Sequence, residues 1–349
     1  MGHTIRTVAA LVALLAAPGC GGSGSSLEGS EPPTPTPTPG PPGETLGFVI
    51  SSFGYLYPEH DGEACPTGFN LGPIDHRVAG TPIEDDCLAP EANDDLGFKT
   101  LSAPGRIDGF DLDGRTSERS SPGAAECAHD DFAGFSGEGG YDFNLWRAIG
   151  CIRGNQPGEI QDTIIDNSVR DGSSTILIEV ADVHDASNDE SVRVRVFAST
   201  DAPPIGANGE PLPWGTLSAH EDDRYHGTEA EGAISGGVVV AGPADFRWRF
   251  NIQIVEADLS LSEAYVRLEI QEDGTARGQL FGYTSVDEMY EIFGRQAGRA
   301  GADALGYTCS GLWSALNEQA DGSFDSETGT CSSLSVAYRF EAMPAFIAK

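Results

Sequence analysis

In SVRVRVFAST, Val192, Val194 and Val196 alternate with Arg193 and Arg195. In DFRWRFNIQI, Phe246, Trp248, Phe250, Ile252 and Ile254 alternate with Arg247, Arg249 and other polar residues. A period of two sends successive side chains to opposite faces of a strand, so each segment has one apolar and one polar face. The pattern returns in AYVRLEI (Val266, Leu268, Ile270) and in SLSVAYRFEA (Leu334, Val336, Tyr338, Phe340), and STILIEVADV is a further strand. Glu272-Asp273-Gly274 turns AYVRLEI back into a hairpin, because Asp-Gly accepts positive φ cheaply. Antiparallel sheets with one buried and one wet face accommodate this many alternating segments. The expected fold class is mainly β, an antiparallel, jelly-roll-like β-sandwich.

The flanking segments qualify that picture. Residues 45–170 are turn-rich, with a first strand in LGFVISSFGYLY and a short helix in YDFNLWRAIGCI. A short helical insert is expected near 285–320. Ser285 precedes Asp287 and Glu288 there, as an N-cap and a negatively charged first turn require. The body, 45–349, is expected to be one domain, with a candidate sub-boundary near 170 where the strand pattern begins.

The first 44 residues cannot belong to that core. An apolar run from Val8 to Ala17 follows Arg6; it is too short to span a bilayer and fits a signal-peptide core. Ala17-Pro18-Gly19-Cys20 resembles the lipobox of bacterial lipoproteins, although Ala17 stands where leucine is usual. The resemblance covers the first twenty residues only. It implies removal of 1–19, acylation of Cys20, and a protein held at a membrane outside the cytoplasm. Gly21, in place of aspartate, points by the same analogy to the outer membrane. A plain secretory signal cleaved nearby is the alternative. Residues 20–44 then read as a lipidated tether, Gly/Ser-rich first and Thr-Pro-rich after, extended rather than core-forming.

Six further cysteines remain: Cys65, Cys87, Cys127, Cys151, Cys309 and Cys331. An even number in an exported chain implies disulfides, and six allow 15 pairings. Pairing of sequence neighbours, Cys65–Cys87, Cys127–Cys151 and Cys309–Cys331, closes three loops of similar size and is the expected set. No Cys-x-x-Cys is present, so zinc is not expected.

Charge narrows the functions. Once Arg6 leaves with the leader, 54 acidic residues face 19 basic ones, a net charge of −35. That argues against a nucleic-acid partner and favours cation binding. Asp108, Asp111, Asp113, Asp130 and Asp131 gather around Gly114 and Cys127. The spacing fails an EF-hand, since Gly109 and Ser120 would fill its first and twelfth positions. A calcium ion held by scattered loop oxygens remains the cofactor expectation, against plain solvated acids, and Asp142 and Asn144 lie within reach of the group. HEDDRYH opens like a zinc-protease motif but has Arg224 in place of the second histidine. EVADVHDASNDES is a turn, or a second cation site. No nucleophile elbow, phosphate loop, dinucleotide fingerprint or haem attachment is present, so no catalytic residue is assigned.

Arg193, Arg195, Arg247, Arg249, Arg267 and Arg277 occupy the polar phase of the strands. On neighbouring strands they make a basic stripe for an anionic glycan or acidic partner. Otherwise they pair with acids such as Glu179 and Glu269, or are covered by the N-terminal loops. The leading expectation is an anchored, non-catalytic binding module for a glycan or protein, with calcium as a stabiliser. A hydrolase of extracellular polymer and a structural envelope component are the alternatives.

Overall fold

The computed structural model describes residues 43–70, 83–92, 97–117, 127–207, 209–252, 255–296 and 308–349. The leader, Cys20 and the tether lie outside these residues. Pro42–Lys349 forms one compact unit.

Among the described residues ten strands carry the fold: β1 (Glu44–Tyr55), β2 (Ile176–Val183), β3 (Asn188–Ala198), β4 (Gly215–Ser218), β5 (Ala230–Ser235), β6 (Val238–Ile252), β7 (Val255–Ile270), β8 (Ala276–Ser285), β9 (Gly322–Asp325) and β10 (Thr330–Ala348). Their order is β1-β2-β3-β5-β6-β7-β8-β10, and β10 pairs back onto β1 with Phe53 opposite Phe340. The mainly β, antiparallel architecture is therefore present, as a sheet closed on itself: eight strands form a ring with no free edge. Every pairing in the ring is antiparallel. The one parallel pairing joins β4 to the tail of β10, outside the ring.

Alternation decides what fills it. Val192, Val194, Val196, Phe246, Trp248, Val266, Leu268, Val336 and Tyr338 belong to one continuous buried cluster. Phe53 stacks on Tyr338 at 4.9 Å and meets the edge of Trp248 at 5.9 Å. The arginines of the same strands point outward. This is the reverse of a membrane-spanning barrel, whose apolar band faces out. Among the described residues no helix is long and apolar enough to cross a membrane.

The two ends of the ring differ. Where β1 finishes and β10 starts, five helices gather: α1 (Ile83–Leu88), α2 (Asn144–Ile149), α3 (Ile160–Arg170), α4 (Val286–Tyr290, continued by a wider turn to Gln296) and α5 (Cys309–Glu318). Ser285 caps α4 by accepting from the Asp287 N–H at 3.2 Å. The pairing of β1 is irregular between Ile50 and Ser52, which frees backbone groups. α3 satisfies two of them, Asp166 accepting from the Phe53 N–H (3.0 Å) and Arg170 Nε donating to the Ser51 carbonyl, and Asp166 also accepts from the Ser52 hydroxyl (2.8 Å). At the opposite end only hairpin turns close the strands, Gly236-Gly237 and 271–275 among them.

The six body cysteines are all paired, but the nearest-neighbour pairing is corrected. The bridges are Cys65–Cys151, Cys87–Cys309 and Cys127–Cys331, across 86, 222 and 204 residues. The reason lies in the helical cap. It is assembled from segments far apart in sequence, and each bridge ties one segment to another. Cys87 at the end of α1 meets Cys309 at the start of α5, where the buried carboxylate of Asp86 accepts from the Cys309 N–H at 3.1 Å.

Candidate binding surface and acidic cluster

Five carboxylates converge beside the capped end. Asp111 and Asp113 come from a loop turned by Gly114, whose φ of 72° glycine tolerates best. Both accept from the Arg115 N–H, at 3.0 and 2.8 Å. Asp142, buried just before α2, accepts from the Leu112 N–H at 2.7 Å. One oxygen from each of Asp111, Asp113 and Asp142 falls within 4.8 Å of the others. Asp131 accepts from the Ser117 N–H. Asp321 completes the group, accepting from Asn144 Nδ2 (2.8 Å) and the Ser335 N–H (2.7 Å).

Burial raises Asp113, Asp131, Asp142 and Asp321, and ionised neighbours raise the first three further. Asp142 is pushed up to about 8, by burial first and then by Asp321, Asp113 and Asp131. Asp131 and Asp321 rise to about 6, and Asp113 rises also, again mainly through burial. Asp142 therefore keeps its proton at neutral pH unless a cation replaces it, whereas Asp131 and Asp321 are largely ionised there.

The residues expected to bind metal therefore divide. Asp111, Asp113 and Asp131 are gathered in the cluster. Asp108 pairs with Arg267 at 2.7 Å instead. Asp130 lines an adjacent hollow of about 380 Å³ with Asp131, Ser117 and Arg147. Arg147 is buried there, stacked on Phe132 at 4.3 Å and donating to the Asp131 carbonyl. Burial lowers its pKa from the ordinary arginine value. Sequence reasoning reached Asp142 by proximity alone and missed Asp321. No local signal marks Asp321, which arrives through the turn between α5 and β9.

The six arginines all face outward but do not form one stripe. Arg193 pairs with Asp182 and Glu229, and Arg195 with Glu229, all on one side of the ring. Arg247 sits between Asp258 (3.6 Å) and Glu288 (3.9 Å). Arg249 lines a separate hollow of about 300 Å³. Arg267 and Arg277 come together on the β7–β8–β10 wall, in a hollow of about 450 Å³ with Asp108, Glu269, Gln279 and Arg339. Cross-strand register builds it: Arg339 stands opposite Gln279 and Gln279 opposite Arg267, while Glu341 stands opposite Arg277 and Arg277 opposite Glu269. Arg277 donates to Glu269 at 2.7 Å and Arg267 to Gln279 at 3.1 Å. Arg339 lies on the polar phase of SLSVAYRFEA, so its signal was legible.

With this geometry in view, the chain was compared with known proteins: no family model, no curated protein and no solved structure matches it.

Proposed function

We propose that the chain is a lipid-anchored, non-catalytic binding module for a glycan, displayed outside the cytoplasm and stabilised by calcium at the Asp111–Asp113–Asp142 cluster. One observation carries the binding reading: the β7–β8–β10 hollow sets arginines, carboxylates and Gln279 side by side on a rigid wall. Alternating donors and acceptors at strand spacing suit a hydroxyl-rich ligand. Positive and negative groups balance there, which favours a neutral sugar over an anionic one. The anchor rests on the Cys20 motif, and calcium rests on the crowding of carboxylates with raised pKa.

Calorimetric titration with neutral oligosaccharides tests the reading. Arg277→Ala and Gln279→Ala should each weaken binding about tenfold, the scale of one lost charged or paired hydrogen bond. Full affinity in both variants overturns it. For the anchor, Cys20→Ser should move the protein from the membrane fraction to the soluble one.

A hydrolase reading has its own observation. Asp131, held near 6, lines an open hollow beside Asp130 and Arg147, and an acid of raised pKa in a cleft suits general-acid work. Release of reducing ends from polysaccharide, lost in Asp131→Asn, would favour it over the binding module.

A further inference from the structure

Exposed apolar side chains are concentrated at one place. Among the described residues nine large hydrophobics are exposed, and four of them, Ile205, Leu212, Trp214 and Phe346, lie on the 201–214 loop and the adjoining β10 tail. Trp214 and Phe346 are 59% and 57% exposed, with ring centroids 5.8 Å apart. The loop is closed on itself: Leu212 N–H donates to the Pro204 carbonyl at 2.7 Å, and Ile205 bridges to Pro211. Prolines at 203, 204, 211 and 213 stiffen it. Trp214 has a φ of 64°, a left-handed backbone that a bulky residue adopts only when held there. Its N–H donates to the Pro344 carbonyl at 2.5 Å, and that bond does the holding.

The β4–β10 tail pair shows why the patch faces out. Its inner side, Leu217 and Ala345, covers Val49, Leu177 and Phe197 on the wall of the ring. Phe346, next in the chain, must point away. Trp214 lies by Gly274, in the β7–β8 turn at the hairpin end, and the loop before it runs down the outer wall from α3, where Glu210 pairs with Arg170 at 3.5 Å. β1 also begins at the hairpin end, so the preceding chain joins the body there.

We propose that Ile205, Leu212, Trp214 and Phe346 form a docking patch for the interface of a zwitterionic lipid bilayer. The side chains fit that occupant: branched aliphatics and Phe for the acyl boundary, and one indole whose N–H suits the headgroup level. The two rings are tilted by 41°, so they offer no common flat platform for a sugar ring. A net charge of −34 repels anionic headgroups, which leaves neutral ones. Position agrees. The 23 residues from Cys20 to Pro42 at about 3 Å each reach no more than about 70 Å, and they join the body at the end where Trp214 lies. The inference stands apart from the glycan reading, which uses a different wall; its position argument rests on the anchor reading, but the test, which omits Cys20, does not.

The test uses residues 43–349, which contain every described strand, the whole core and all three disulfides, with phosphatidylcholine vesicles. Trp214 is the one exposed tryptophan of four, so its emission should shift to the blue as the protein co-sediments. Trp214→Ser with Phe346→Ser should lower partitioning at least tenfold with an unchanged melting temperature. Failure of the unaltered body to partition, or equal partitioning of the double variant, overturns the proposal. So does tighter binding to phosphatidylglycerol vesicles. Concentration-dependent dimerisation abolished by the double variant would instead make a second copy the occupant, and sugar binding lost in that variant would make it a glycan.

Discussion

The two ends of the ring solve opposite problems with the same residue type. At the capped end, Trp146 and Trp248 are buried and each is locked among aromatic neighbours. At the hairpin end, Trp214 is held in solvent by a backbone conformation it does not favour. The first end is cross-linked by three disulfides and roofed by helices. The second has hairpin turns and, outside the ring, the β4–β10 tail pair, with no disulfide among the described residues. The cross-links are concentrated at one end, and the most exposed tryptophan ring stands at the other.

The largest test of that contrast removes a bridge. Cys65→Ala with Cys151→Ala should cost about 4–5 kcal/mol, because a bridge across a long loop restrains the unfolded chain strongly. Denaturant unfolding measures it. Peptide mapping without reductant should recover 65–151, 87–309 and 127–331. Next, Trp248→Ala should cost about 3–5 kcal/mol as a core truncation. If it cost no more than an exposed substitution, the packed interior described above would be wrong.

These experiments also mark what the sequence could reveal. Strands were legible wherever alternation ran long, as in β3, β6, β7 and β10, because each has one face in the core. The Gly274 turn and the Ser285 cap were legible because their chemistry is local. Ring closure was not, since it depends on β1 lying beside β10, about 290 residues away. The disulfides failed for the same reason: loop length ranks pairings only when the segments are neighbours in space. α3 left a weak signal in Ile160, Ile164, Ile165 and Val169 that turn-rich surroundings obscured. At the acidic site, Asp111 and Asp113 were visible as a motif, but Asp321 joins only through the fold. The arginine phase was read correctly, yet position around a ring divides the six residues among separate acids.

The acidic cluster gives the capped end a pH dependence opposite in sign to that of the hairpin end, where hydrogen bonds hold Asp189 and Asp273, and Arg277 holds Glu269, below their usual range. An unfolded aspartate releases its proton near pH 4, whereas Asp142 in the folded protein holds it to about 8. Raising the pH from about 4 to about 8 therefore favours the unfolded chain, and Asp131 and Asp321 add to this between about 4 and 6. The melting temperature should fall across that window. Asp142→Asn keeps an acceptor for the Leu112 N–H and should flatten the fall. Calcium should raise the melting temperature at pH 8 in the unaltered protein, with a smaller effect in the variant. An unchanged profile in Asp142→Asn would show that burial at this site is not felt as described.

The smallest expected effect is the sharpest. Trp214→Gly removes a side chain at a position with φ of 64°, where glycine carries no Cβ penalty. The exposed ring contributes little packing, so the variant should be unchanged or more stable by up to about 1 kcal/mol. Vesicle partitioning should fall in the same protein. Opposite signs in the two measurements would show that the hairpin end keeps a strained conformation for the sake of its surface. A loss of stability above about 2 kcal/mol would instead make Trp214 a packing residue, and the two ends would then differ in degree rather than in purpose.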